Sequence, residues 1–230
     1  MSESALTLSY GTEISIDRHR ELLGLLTEVR QTGFEGLLDV SIAYNSLSVF
    51  FDPGLVSRRY RQSPQAFVFQ WLDELAARER VEVGPVMGKE HILPICYDPP
   101  FSPDLDTMAA FHNCSREEII YLHQSQPYYV FMVGFSPGFP YLGIVPERLD
   151  TPRKATPALK VPAGSVGIAG RQTGIYPFES PGGWNIIGRT PIRMFNILDP
   201  DLCLLQAGDR VLFSPIDQQT FNYLNQYADT

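Results

Sequence analysis

Apolar positions in the first part of the chain change period several times, and each change marks an element. Alternation over Ala5–Tyr10 or Glu13–Ile16 predicts an opening strand. Asp17 then offers an N-cap to a helix whose Leu22, Leu25, Leu26 and Val29 share one face, and Gly33 closes it. The β-rich runs Leu37–Ala43 and Leu47–Phe51, separated by Tyr44-Asn45-Ser46, predict a hairpin. Ser63-Pro64 supplies an N-cap and a first-turn proline, after which Phe67, Trp71, Leu72 and Leu75 repeat at helical spacing up to the charged Arg78-Glu79-Arg80. A final strand is expected over Glu90–Tyr97.

In order, these elements read β-α-β-β-α-β, the ferredoxin-like arrangement of two helices on one face of an antiparallel sheet. Residues 1–97 are expected to form this first domain. Asp98-Pro99-Pro100 interrupts any regular element and marks the expected junction. Two short helices follow, one started by Ser102-Pro103-Asp104. The other is started by the capping box of Ser115-Arg116-Glu117-Glu118 and leads into Ile119, Ile120, Leu122 and His123. From Pro127 onward glycine and proline punctuate short apolar runs such as Tyr129–Val133, Ser165–Ala169 and Arg210–Phe213. Helical periodicity is absent there, which predicts a β-barrel or sandwich. The polar tail from Asp217 reads as a helical turn or a frayed end. The fold class expected is α+β, with the second domain over residues 98–230.

Composition narrows the function. The 230 residues are 44% hydrophobic and 19% charged, near the globular average. A net charge of −8 with no basic stripe argues against a nucleic-acid partner. Met1-Ser2-Glu3-Ser4 does not resemble a signal peptide, and no apolar run reaches membrane-spanning length, so neither export nor a membrane partner is expected. Cys96, Cys114 and Cys203, an odd number at wide spacing, fit free thiols in a reducing cytoplasm. His112, Cys114 and His123 match no zinc template, and no metal site is expected.

Gly134-Phe135-Ser136-Pro137-Gly138 has the G-x-S-x-G form of a hydrolase nucleophile elbow. The residue after the serine must donate its backbone N–H to the oxyanion, and Pro137 has none. Pro137-Gly138-Phe139-Pro140 is also a poor start for the helix an elbow requires, so the serine-hydrolase reading is rejected. Neither a G-x-x-x-x-G-K-[ST] loop nor a strand-to-helix G-x-G-x-x-G is present, so any nucleotide site is unconventional or shared.

The same stretch, continued to Phe139-Pro140-Tyr141-Leu142-Gly143, resembles the signature of the allophanate hydrolase subunit 1 family. The resemblance extends in order through Thr151-Pro152-Arg153, Val161–Gly170, Gln172–Pro177, Ser180–Trp184 and Ile187–Pro191, covering most of the chain between His91 and Phe213. It implies a ferredoxin-like N-terminal domain followed by a cyclophilin-like β-barrel. It also implies a role as the B subunit of a bacterial 5-oxoprolinase, with the C and A subunits of that enzyme for partners, opening the lactam 5-oxoproline to glutamate with ATP and Mg. On this reading the chain is a non-autonomous part of the enzyme. A rival implication is a binding protein that inhibits a sensor histidine kinase. Where the family reads Gly-Gly-x-x-Gly-Pro-Asp-Leu, this chain has Asp98-Pro99-Pro100-Phe101-Ser102-Pro103-Asp104-Leu105, which keeps Asp104 in a stiffer loop.

Activating an amide with ATP needs cations around phosphates and donors at the developing charge. Arg153, Lys160, Arg171 and Arg189 lie in or beside the motif segments and are candidates, although each also fits a solvated barrel surface. Gln172, Thr173 and Tyr176 offer hydrogen-bonding groups among glycines, or serve only the turns. His123 is a candidate proton carrier, or a favourable charge at a helix end. Phe135, Phe139 and Trp184 line a pocket, an interface or the core. The catalytic set expected is His123, Arg153, Gln172 and Arg189, at a composite site shared with the C subunit. The remaining residues, Asp104 among them, are expected to bind substrate or nucleotide.

Overall fold

In the computed structural model, which describes residues 3–78, 88–198 and 202–227, the chain divides into two compact units, Met1–Met87 and Gly88–Thr230. In the first unit, β1 (Ala5–Ser9), β2 (Leu37–Ala43) and β3 (Ser46–Phe51) form an antiparallel sheet of order β1-β3-β2. Helix α1 (Ile16–Thr32) buries Leu22, Leu25, Leu26 and Val29, the face that the spacing predicts. Its N-cap is Ser15 rather than Asp17, with the serine oxygen accepting from the Arg18 N–H at 3.5 Å. The hairpin β2–β3 forms as expected and buries Leu47, Val49 and Phe51. Two helices follow it rather than one. The unpredicted α2 (Pro53–Tyr60) is capped by Asp52, whose carboxylate accepts from the Leu55 N–H at 2.9 Å, and α3 (Pro64–Ala76) buries Val68, Leu72 and Leu75. Glu79 and Arg80, the expected charged end, lie outside the described residues.

The strand expected to complete this sheet belongs to the second unit. There β4 (Glu90–Cys96) runs parallel to β12 (Arg210–Ile216), paired from Glu90↔Arg210 to Cys96↔Ile216. With β5 (Tyr128–Val133), β6 (Pro140–Gly143), β8 (Ser165–Ala169), β9 (Gln172–Ile175) and β11 (Asn185–Arg189) they close a seven-stranded barrel of order β11-β4-β12-β5-β6-β9-β8. The physical reason is core matching: β4 contributes Leu93 and Ile95, and β12 contributes Val211 and Phe213, to one buried cluster. Asp209 locks the register, because its carboxylate accepts from the Lys89 and Gln206 N–H groups, both at 2.8 Å. The break between units therefore precedes β4, and Asp98-Pro99-Pro100 is a turn inside the second unit rather than a junction.

Helices α4 (Leu105–Phe111) and α5 (Arg116–Gln124) add Leu105, Met108 and Ile119 to the barrel core. Ser115 caps α5 as predicted, accepting from the Glu118 N–H at 3.1 Å. A two-stranded ribbon of β7 (Ala158–Val161) and β10 (Ser180–Gly182) stands apart from the closed sheet. The polar tail forms a helix, α6 (Gln218–Tyr227), capped at its start by Asp217, which accepts from the Thr220 N–H at 2.7 Å. Among the described residues no helix is long and apolar enough to cross a membrane.

Candidate functional site

On β8 and β9, Val166, Ile168 and Ile175 join the barrel core, and the intervening Gly167 and Gly174 pair directly across the two strands. A Cβ at Gly174 would lie 2.8 Å from the Pro140 carbonyl oxygen and 3.0 Å from the Phe139 ring, and one at Gly167 would lie 3.0 Å from Trp184 Cβ. The two glycines thus keep this outer surface low enough for aromatic side chains to lie on it. Phe139, Tyr176 and Trp184 form part of a second, smaller core there, with Tyr141 packed against it. Phe139 meets Tyr141, Tyr176 and Trp184 at centroid distances of 4.8, 5.2 and 5.5 Å, the latter two edge to face.

These rings wall a cleft of about 270 Å³, completed by Phe135, Arg153, Pro157 and residues 181–183. The pseudo-elbow Gly134–Gly138 is the β5–β6 turn, closed by the Gly134 N–H donating to the Phe139 carbonyl at 3.0 Å. A strand follows it and not a helix, in keeping with rejection of the hydrolase reading, and it presents Phe135 at φ +73° with 73% of its surface exposed. The strap carrying Arg153 is pinned at three points. Asn185 Nδ2 donates to the carbonyls of Pro152 (2.9 Å) and Ile168 (3.1 Å), the Lys154 N–H donates to the Gly183 carbonyl (2.8 Å), and Thr151 bridges to Gly170. No carboxylate among the described residues pairs with Arg153. Burial pushes the Tyr141 and Tyr176 phenols upward in pKa. The Arg153 charge pulls both partly back, and for Tyr176 a hydrogen bond from the Trp184 backbone does so more strongly.

A second cavity, about 510 Å³, is lined by Asp104, Lys154, Lys160 and Arg189 together with Pro100 and Phe101 from the unusual loop. It is larger, but Asp104, Lys154 and Arg189 there are already engaged. The Asp104 carboxylate bonds Lys154 Nζ at 2.8 Å and the Ile186 N–H at 2.7 Å, and Lys160 pairs with Glu179 at 3.1 Å. Arg189, its pKa lowered by burial, donates to the Ala163 carbonyl at 2.6 Å and lies over the Phe221 ring. The first cleft, with a cation awaiting a partner, is the better candidate for a ligand.

His123 and Thr173 lie elsewhere, fully buried. Thr173 Oγ1 donates to the Gly167 carbonyl at 3.1 Å, so His123 Nε2–H donates to Thr173 and Nδ1 accepts from the Tyr97 hydroxyl at 2.8 Å. The ring packs against both Tyr128 and Phe213, which also touch each other, and burial lowers its pKa to about 3. His123 is therefore a neutral core residue, and the expected proton carrier is corrected on this point. Gln172 and Arg171, at the β8–β9 hairpin, line neither cavity. Sequence reasoning missed Tyr141, although Tyr141 in β6 and Phe139 just before it alternate with the core residue Leu142. Lys154 carries no comparable signal.

The family model for the carboxyltransferase domain, subdomain C and D, matches residues 1–205. The chain belongs to this carboxyltransferase domain family. Within the family it is similar to a Bacillus subtilis protein named as a 5-oxoprolinase B subunit, with 37% identity over 225 residues, 96% of this chain and 93% of the relative. A Haemophilus influenzae protein of the same name is 40% identical over 213 residues, 93% of this chain and 94% of the relative. The resemblance read from the glycine and proline series is borne out by both. Among solved structures, TTHA0988 superposes with a TM-score of 0.78 at 33% identity over 93% of this chain. This chain spans only 40% of that structure's length.

Proposed function

We propose that this chain is the B subunit of an ATP-dependent 5-oxoprolinase of the cytoplasm, working together with C and A subunits and sharing a composite site with the former. The observation that carries this reading is near end-to-end similarity to two proteins named as 5-oxoprolinase B subunits. The β1-β3-β2 strand order supports a ferredoxin-like first unit, and the closed seven-stranded barrel supports a cyclophilin-like second one.

A lactam resists hydrolysis because its nitrogen lone pair is delocalised, and ATP with Mg is the expected source of activation. The described residues do not fit a triphosphate. Lys154 is neutralised by Asp104 and Arg189 is held against Ala163 and Phe221, which leaves Lys160, in an exposed pair with Glu179, as the one cation of the larger cavity open to phosphates. No group of three His, Cys, Asp or Glu among the described residues could hold a metal ion. On this reading the nucleotide is held by another chain of the complex, and this chain's share of the site is the aromatic cleft with Arg153.

The deciding experiment measures ATP-dependent conversion of 5-oxoproline to glutamate, first with the purified chain and then after adding candidate C and A subunits. Turnover only in the mixture is the expected result. An intact, folded complex that leaves 5-oxoproline untouched would sink the assignment.

A further inference from the structure

We propose that the cleft on the outer barrel face binds a small ring carrying a single carboxylate, with Arg153 taking the carboxylate and Phe139, Tyr141 and Trp184 taking the ring. That the ligand is 5-oxoproline rests on the 5-oxoprolinase reading; the ligand class follows from the cleft itself.

Charge sets the first limit. Among the described residues lining the cleft Arg153 is the sole charged one, so the site neutralises one negative charge and lacks the several cations a polyphosphate requires. Size sets the second, because 270 Å³ lies below the range of about 300–1,000 Å³ typical of drug-sized ligands. The walls set the third. Ring centroids 4.8–5.9 Å apart, mostly edge to face, pack the rings against one another, so together they present the cleft with one rigid apolar wall on which a flat or slightly puckered ring can lie. The strap is tied to the barrel before a ligand arrives, so little ordering is left to oppose binding at Arg153.

The cleft also separates substrate from product. The lactam nitrogen is uncharged, whereas ring opening creates an ammonium and a second carboxylate. Among the described lining residues none carries an acid to meet the ammonium, and no second cation meets the new carboxylate. Burying either group unpaired is unfavourable, so opening the ring converts a ligand of this cleft into a poor one.

The test is calorimetric titration of the intact chain with 5-oxoproline, 2-pyrrolidinone (the same ring without a carboxylate), glutamate and ATP. 5-Oxoproline is expected to bind at least about tenfold more tightly than the other three, and to shift the indole signal of Trp184 in NMR spectra. Arg153→Gln should weaken 5-oxoproline about tenfold or more and leave 2-pyrrolidinone unchanged, as the loss of one charge-assisted contact predicts. Equal binding of 5-oxoproline and 2-pyrrolidinone, or an unaffected Arg153→Gln variant, overturns the proposal. In the assembled complex the same variant should raise KM about tenfold with a smaller change in kcat. A complex that turns over 5-oxoproline with KM unmoved by Arg153→Gln overturns the cleft assignment and leaves the 5-oxoprolinase reading standing. A chain that binds 5-oxoproline through Arg153, in a complex without turnover, upholds the cleft and removes the enzymatic reading.

Discussion

With both ring nitrogens bonded and no exposed surface, His123 is closed to proton exchange with a substrate, but its protonation still governs stability. Its ordinary value is 6.5 and its folded value about 3, so between these the unfolded chain binds the extra proton. The contribution is fully present above pH 6.5 and is lost as pH falls toward 3, by up to about 1.4 kcal/mol per pH unit. Urea unfolding at pH 7.5 and 5.0 should show the protein weaker at the lower pH. His123→Leu should cost about 1–3 kcal/mol at pH 7.5, because it takes away the acceptor to which the buried Tyr97 O–H donates, and should flatten the pH dependence. An unchanged slope in that variant would place the acid sensitivity on another group. At Gly182 the constraint is steric, since a Cβ there would lie 2.3 Å from the Tyr176 hydroxyl. Gly182→Ala should displace Tyr176 and weaken 5-oxoproline binding while leaving far-UV circular dichroism intact.

At the scale of elements, the Gly167–Gly174 pair on β8 and β9 is what permits an aromatic surface on the outside of a barrel. Gly174→Ala should destabilise the second unit by about 1–3 kcal/mol, the usual cost of overpacking, as read by thermal unfolding. The glycine and proline series made this region legible in sequence, and the periods of α1, α3, β2 and β3 were legible for the same reason: each buries one face at its own spacing. Two errors have physical causes. The short, Gly-containing Pro53–Tyr60 buries only Val56, too little to establish a period, although Asp52-Pro53 was a usable start signal. In β4, alternation reveals which residues point inward but not which sheet they join. Phe135, Phe139, Arg153, Tyr176 and Trp184 were all candidates from sequence. That they share one cleft became visible only once the β5–β6 turn, the strap and the β7–β10 ribbon were in place. His123 was misjudged because sequence shows a titratable ring but not its burial.

For the whole molecule, two compact units imply two cores, and the position of β4 decides where the chain can be cut. A fragment of residues 88–230 should give a soluble product with a cooperative thermal transition. One beginning at residue 98 should not, because losing β4 opens β11 and β12 as unpaired edges and deprives the buried Asp209 carboxylate of the Lys89 N–H. Solubility and circular dichroism melts of the two fragments check this directly. The parallel β4–β12 pair also bears on synthesis. Its partners are separated by about 120 residues, so the ring stays open until almost the whole second unit has been made. At roughly 5–20 residues per second, that delay is on the order of 10 s, far longer than collapse of the chain. Throughout it the nascent β4 offers free backbone edges to any neighbouring strand, which makes this segment a natural client for chaperones at the ribosome.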